Sequence, residues 1–409
     1  MIKQTQTKMF DFSDVGLDFC SGSKNKFPEV FKKMLVTGYN PQTAASASIS
    51  ASQITLTYGV THGYKADRVL QVTALGGFNK QVYVDSVTTN TITCTVLDGD
   101  TSGLTGTIST KVASLGWTIE YEVSNIHIYK FKHIDETDMY LRVCFQNVAA
   151  NRSALNVCVG KTIDAALGTI TDTNALQRTK ALTSPSEGSG TWEFGGVSSS
   201  ENNFTYSQGY SNYGRGVVVG SPYHLIFLSH TYYTGGNTTD ADRVINGIIP
   251  LVGLDYSTIA YPCILGFTNS GAMTNYVISA NLALKSRGWV GNQDVYFHYD
   301  SSQRDYGFYE AKTNRSSFLP STIDGFNTTV TAPILVASYS TSQVFGFLMG
   351  INKVNYGSTN YPSQTKANIP KLSLDISSTT YLIEHSIGWS GGDQFFAFAL
   401  PIEEIKIGY

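Results

Sequence analysis

The spacing of apolar residues changes character along this 409-residue chain, and the change divides it. In residues 25–38, NKFPEVFKKMLVTG, the apolar positions Phe27, Val30, Phe31, Met34 and Leu35 recur at the i, i+3, i+4 spacing of one helix face. Asn25 stands at an N-cap position, Pro28 and Glu29 fall in the first turn, and Gly38 sits just past the end. This run predicts an amphipathic helix. A shorter, Thr-interrupted pattern suggests a second helix over 174–181.

From about Ala45 the period drops to two, in runs of Ser, Thr, Val, Ile and Tyr separated by Gly, Asn and Asp. Met139, Leu141, Val143 and Phe145 alternate with Tyr140, Arg142 and Cys144, so one face of that strand must be core. Tyr129 and Phe131 alternate with Lys130 and Lys132 in the same way. Further strands are expected over 70–73, 81–84, 89–96, 217–220, 224–228, 334–339, 344–349 and 395–400. Many short strands with little helix between them imply antiparallel sheets, because parallel pairing needs long crossovers. The expected fold is mainly β: an antiparallel sandwich or barrel-like body with a small inserted β-module and a short N-terminal helix. The expected boundaries are 1–44 for the helical segment, 45–112 for the module and 113–409 for the body, with 1–44 contiguous with that body.

Residues 182–215 are Ser, Gly and Asn-rich with isolated aromatics, and loops of more than about 15 residues in compact domains are usually functional or disordered. Trp192, Phe194, Phe204, Tyr206, Tyr210 and Tyr213 either order against a neighbour or pack onto the chain's own sheet. The same two readings hold for Phe10, Phe12, Val15, Leu17 and Phe19 before the helix, and for the C-terminal PIEEIKIGY. As contact residues the sequence nominates Trp192, Phe194, Tyr206, Tyr210, Tyr213, Phe10 and Phe12.

Composition supports contact as the mode of action. Only 14% of residues are charged, against about 25% in average soluble proteins, while 12% are aromatic, so Tyr, Ser, Thr and Asn must cover the exterior. Such side chains make adaptable contact surfaces, whereas a solitary protein carries more charge to keep its copies apart. A net charge of −3 removes the electrostatic argument for a nucleic-acid or acidic-membrane partner. Cysteines at 20, 94, 144, 158 and 263 form no C-x-x-C pair and read as buried free thiols. The first residues, MIKQTQTK, lead into an acidic, aromatic stretch without the apolar core of a signal peptide, so synthesis in the cytoplasm is expected. The best apolar run, 217–228, is broken by Gly220, Ser221, Pro222 and His224 and falls short of a membrane span.

Candidate chemistry is sparse. Asp98 with Asp100, Asp135 with Glu136 and Asp138, and Asp240 with Asp242 are carboxylate groupings in turn-like sequence, where solvated turn residues are commoner than an acid–base pair. LDGDTSG lacks the spacing and terminal Glu of a calcium loop. The seven histidines show no metal-binding helix spacing, although His224 and His230 would share a strand face. The sequons at Asn151, Asn203, Asn237, Asn314 and Asn327 are about as many as chance provides in so Asn-, Ser- and Thr-rich a chain. No nucleophile elbow, P-loop or dinucleotide fingerprint occurs, so no catalytic residue, metal or cofactor is assigned.

Three segments carry a resemblance. THGYKADRVLQVTALGGFNKQVYVDSVTTNTITCTVLDGD (61–100) has a His-Gly-Tyr turn, an Arg-Val strand, a Gly-centred turn and Val-x-Ser-Val-x-Thr strands. In 103–143, Gly106 and Thr107 precede a Lys-Val-Ala-x-x-Gly-Trp element and a strand ending Met-Tyr-Leu-Arg-Val. GRGVVVGSPYHLIFL, TTDADRVINGIIP and PILVASYSTSQVFGFLMGI then follow in order. Together these resemble a family of structural proteins of tailed-bacteriophage virions, across about two-thirds of the chain. Where that family commonly has an Arg-Gly pair, this chain has Phe345 and Gly346. The resemblance implies a non-enzymatic virion component, in tail or baseplate, whose partners are other virion proteins and copies of itself. The alternatives are a receptor- or glycan-binding tail-tip or fibre protein and a capsid-decoration or head-fibre protein, and an enzymatic rival would be a polysaccharide depolymerase.

Overall fold

The computed structural model describes residues 3–20, 24–147, 153–185, 190–194, 205, 207, 216–230, 243–253, 260–266, 287–298, 330–341, 343–355, 371–373, 382–388 and 395–405. Its sheets are antiparallel, with a curled half-barrel and one short helix near the N-terminus, so the chain is mainly β.

The helix forms where the sequence pattern puts it. A 3-10 turn at Lys24–Lys26 leads into α-helix over Phe27–Lys32, which widens into a π turn over Lys33–Thr37 and stops at Gly38, φ +71°. Phe27, Val30, Phe31, Met34 and Leu35 are all buried. Phe31 stacks on Phe227 at 4.9 Å and meets Phe145 edge-on at 5.3 Å. The last carbonyls, left without helical donors, are taken by another part of the chain. Main-chain N–H groups of Leu115 and Trp117 donate to Met34 and Leu35, and the Ser114 hydroxyl donates to Val36. Over 174–181 the structure has turns instead of a second helix. Asp172 Oδ1 accepts from the Asn174 N–H, and Ala175 and Thr179 bond back only three residues, the local competition by which Asp and Asn defeat helix.

Seven strands make a small sheet, in the order Tyr39–Ala44, Ile108–Val112, Val69–Ala74, Asn79–Val87, Thr91–Thr95, Gln53–Thr57, Ser46–Ser50. The first and last of these are consecutive in the chain, with only Ala45 between them. One bent run of backbone therefore forms both ends of the sheet, which rolls around Ile54, Leu56, Leu70, Val72, Val84, Ile92 and Cys94, all fully buried. This sheet starts at Tyr39 rather than 45. Pro41 and a register shift between Tyr39 and Gln42 hide its first strand from a period-two reading.

A second sheet runs Thr191–Phe194, Ser153–Gly160, Asp138–Cys144, Ile126–Lys132, Thr118–Val123. Met139, Leu141, Val143 and Phe145 are fully buried, as their alternation requires, but Arg142 and Cys144 on the opposite face are buried too. Residues 163–182 cover that face. The Arg142 guanidinium donates to the carbonyls of Gly168 (2.7 Å), Thr179 (3.4 Å) and Leu182 (2.6 Å).

The third sheet has thirteen strands among the described residues. It begins with Lys8–Asp11 against Gly216–Ser221, continues through His224–His230 and Arg243–Ile249, and reaches Val344–Asn355, Phe395–Pro401 and Lys371–Ser373 at its far side. The expected strands near 217, 224, 334, 344 and 395 all lie in it. Phe10 stands opposite Val218, and the Phe12 N–H donates to Gly216 O.

Between the N-terminal segment and the rolled sheet lies a buried ion pair. Arg68 donates from Nε to Asp14 Oδ2 (2.9 Å) and from Nη2 to Oδ1 (3.1 Å); the Tyr39 hydroxyl donates to Oδ2, and Lys65 reaches Oδ1 at 3.0 Å. Burial alone would raise the Asp14 carboxyl, but Arg68 and Lys65 outweigh it and hold it at about 2, below its ordinary 3.8. Stability from this group is thus complete above the unfolded value and is lost as pH falls through the folded one, roughly from 4 to 2. Arg68→Ala leaves a buried carboxylate half-paired and should cost about 3–5 kcal/mol in urea unfolding at neutral pH. Asp14→Asn should flatten the acid-side slope over that same window; an unchanged slope would mean that other carboxylates carry it.

Candidate interaction surface

Two of the three carboxylate groupings are engaged in turns and ion pairs. Asp98 Oδ1 accepts from the Asp100 N–H, Asp100 Oδ1 accepts from the Ser102 N–H, and Lys80 donates to both side chains at 2.8 Å. Asp135 caps Thr137 through its N–H and hydroxyl, Asp138 pairs with Lys132, and Glu136 accepts from Tyr223. Asp240 and Asp242 lie outside the described residues. Ser221 and His224 make a contact that the sequence reading did not anticipate: the Ser221 hydroxyl lies 2.7 Å from His224 Nδ1. Both side chains are fully buried, and burial drives the imidazole down to about 3. A Ser–His pair sealed from solvent, with Ser221 also accepting from the Tyr223 N–H, closes a hairpin. The side chain of His230 lies outside the described residues. Among the described residues no three His, Cys, Asp or Glu side chains gather as a metal site, and no helix is long and apolar enough to cross a membrane.

The motif residues act as joints. His62 Nδ1 accepts from the Tyr64 N–H and its Nε2 donates to Thr88 O, while Asn40 donates to His62 O and the Tyr64 hydroxyl donates to Asn40 O. The Trp117 indole N–H donates to Ser221 O at 2.9 Å and its ring stacks on Phe131 at 4.6 Å, tying the end of the rolled sheet to the two others. Gly346 has φ +149°, and a Cβ there would meet Val252 O at 2.3 Å, so glycine is required. Phe345 is buried.

The nominated contact residues resolve differently. Phe10, Phe12 and Trp192 have no exposed surface: Phe12 packs edge-on to Phe19 at 4.8 Å, and Trp192 lies against Phe31 and Phe227. This corrects their nomination, since each fills the chain's own core, where isolated aromatics give no periodic signal in sequence. The backbone of Phe194 pairs with Ser153, and its side chain lies outside the described residues. Tyr206, Tyr210 and Tyr213 also lie outside them. Of the C-terminal run, residues 401–405 pack against the N-terminal segment, where Ile405 N–H donates to Gln6 Oε1 and Glu403 O accepts from Thr7.

Outward-facing surface is found elsewhere. One open groove of about 420 Å³ crosses the rolled sheet and is lined by Gln42, Thr43, Gln71, Thr73, Ser109 and Lys111. Another, about 400 Å³, lies between Gln177 and Arg178 on one side and Asn292, Asp294, Tyr339 and Ser340 on the other. The third feature is a strand edge. Among the described residues Ser46–Ser50 pairs only with Gln53–Thr57, and its burial pattern is exposed throughout except at Ala47. No Asp, Glu, Lys or Arg occurs between Lys33 and Lys65, so nothing ionic guards it. By contrast, the Thr118–Val123 edge carries Glu120 and Glu122, paired with Lys130 and Lys32. Ionic side chains of that kind are what keep an edge from pairing with another chain.

Comparison with protein families, with curated proteins and with solved structures finds no match to this chain.

All five cysteines are free and buried, and burial pushes the thiols upward, Cys20 to about 12. A thiol reagent at neutral pH should therefore label almost nothing in the native protein and all five groups after denaturation. Rapid native labelling at any site would contradict this burial.

Proposed function

We propose that this chain is a non-enzymatic structural component of a phage virion, in tail or baseplate, acting through contacts with copies of itself and with neighbouring virion proteins. The observation that carries the reading is the open, uncharged edge at Ser46–Ser50 within a 31-residue stretch free of ionic side chains. Exposed edges recruit strands through main-chain hydrogen bonds, and a protein that works alone blunts them. The resemblance supports the same reading: His62, Tyr64, Trp117 and Arg142, the residues that carry it, all hold elements together. The carboxylates of the described turns are engaged in caps and ion pairs, which supports a role without catalysis.

A second reading, a glycan-binding tail-tip protein, is favoured by one feature. The groove beside Tyr339 combines a ring that is 42% exposed with Arg178, Asn292 and Asp294, a set able to stack on a sugar and bond its hydroxyls. Capsid decoration would use the first reading's contacts at another site on the particle.

Mass spectrometry of purified particles, with electron microscopy of particles labelled on this protein, should place it in the tail. Its absence from particles would overturn the proposal. Glycan-array binding that Tyr339→Ala reduces at least tenfold would favour the second reading, and release of reducing ends from host polysaccharide would overturn the non-enzymatic one.

A further inference from the structure

We propose that Ser46–Ser50 pairs antiparallel with the same strand of a second copy, about a two-fold axis normal to the sheet that passes between the two Ser48 residues. This names the partner of the edge described above and rests on the assembly reading for its setting.

The hairpin decides which groups are available. Ser50 and Gln53 flank a two-residue turn in which Ala51 has φ +54°. The residues flanking such a turn form a hydrogen-bonded pair, and pairing alternates from there. Ser50, Ser48 and Ser46 therefore spend their main-chain groups on Gln53, Thr55 and Thr57. Ala47 and Ile49 point their N–H and C=O outward, away from the hairpin partner.

The strand reads Ser-Ala-Ser-Ile-Ser, which is nearly the same in both directions. An isologous contact sets a surface against itself and so must be neutral or self-complementary. With Ser48 on the axis, Ser46 of one copy faces Ser50 of the other, and each Ala47 faces an Ile49. Those Ala–Ile pairs are the ones with outward main-chain groups, so each exchanges both bonds of a narrow pair, while Ser48 meets Ser48 in a wide, non-bonded pair.

Side chains fit the same register. Ile49 lies opposite Ile54, on the inward face of the rolled sheet, yet it is 50% exposed while Ile54 is fully buried. The sheet ends one strand too soon to cover it. A second copy places its Ala47 beside Ile49 on that face, and the reverse. On the outer face the row Ser46, Ser48, Ser50 continues the hydroxyl rows of Thr55 and Thr57, and of Thr91, Thr93 and Thr95. A five-residue strand pair falls well below the roughly 1,200 Å² of a stable interface. The contact is therefore weak between free copies and is held where an array supplies high effective concentration.

The register gives a specific test with the full-length purified chain, since its own thiols are buried. In the proposed pair the Ser48 Cα atoms lie about 4.5 Å apart, within disulfide reach. Ser46 and its own copy are roughly 14 Å apart, four strand steps, as are the two Ser50 residues. Under mild oxidation at high protein concentration, Ser48→Cys should form a covalent dimer at least tenfold faster than Ser46→Cys or Ser50→Cys. Adding Ile49→Lys, an exposed change that leaves the fold intact, should abolish it. The Ser46→Cys/Ser50→Cys double variant should dimerise again. Equal rates for the three single variants, or no dimer from Ser48→Cys, would overturn the proposal. So would particles built with Ser48→Cys in which the introduced thiol is shielded from a thiol reagent yet never dimerises, because another protein's strand would then occupy the edge. Particle composition is read separately, so a dimer from a protein absent from particles would sink the virion reading and leave this one standing.

Discussion

The carboxylate of Asp14 is the point on which the arrangement of the N-terminal half turns. It is held by Arg68 from the rolled sheet, by Tyr39 from that sheet's first strand and by Lys65 from the segment between them. A buried pair contributes little net stability, because desolvating two charges offsets most of their attraction. Its demand is geometric, since either partner alone is costly. A seating of the rolled sheet on the N-terminal segment that separated Arg68 from Asp14 would leave a buried charge without its partner. That segment then reaches further. Lys3 pairs with Asp85 and donates to Thr95, Thr7 donates to Glu403, and Lys8–Asp11 forms the edge of the largest sheet. Residues 3–14 therefore bind the rolled sheet, the C-terminal run and the large sheet to one another.

The same economy governs the helix. Its apolar face is a plug shared by two sheets, with Phe31 against Phe145 of one and Phe227 of the other. Its C-terminal carbonyls are satisfied by the chain leaving the rolled sheet at 114–117 rather than by solvent. A short helix is marginal by itself, and tertiary packing supplies what local propensity lacks.

Sequence was most informative where a local period reports a single face. The helix over residues 27–37, the Asp138–Cys144 strand and the rolled-sheet strands at 70–73, 81–84 and 89–96 announce themselves because each buries one stripe or one side. It failed where burial is decided by distant chain. Arg142 looked like an outward residue, and only residues 163–182 reveal that its face is covered. Trp192, Phe10 and Phe12 looked like contacts because an aromatic among Ser, Gly and Asp has no pattern to assign it inward. The edge at Ser46–Ser50 was invisible for a different reason. Whether a strand lies at an edge depends on the order of the sheet, and a short run such as Ser-Ala-Ser-Ile-Ser reads the same in the middle as at the rim.

The proposed strand contact would need a rigid bearing, and the topology supplies one. The run 39–50 starts where Gly38 ends the helix, pairs its first half with Ile108–Val112, bends at Ala45 and presents its second half to the outside. The start of the run and the strand beside it are clamped to the helix end. Tyr39 stands opposite Val112, Lys111 donates to Thr37 O, and Leu115 and Trp117 bond the helix end within a few residues. The exposed half-strand is consequently a continuation of backbone already fixed to the core, and its direction is set by the body rather than by a hinge. Symmetric interfaces need that property, because a wandering edge would pair in many registers and close no ring. The absence of charge from Met34 to Tyr64 then has a physical sense. In this stretch the edge strand lacks ionic guards while its inner side is fixed to Gln53–Thr57, so the proposed pairing would have a defined orientation.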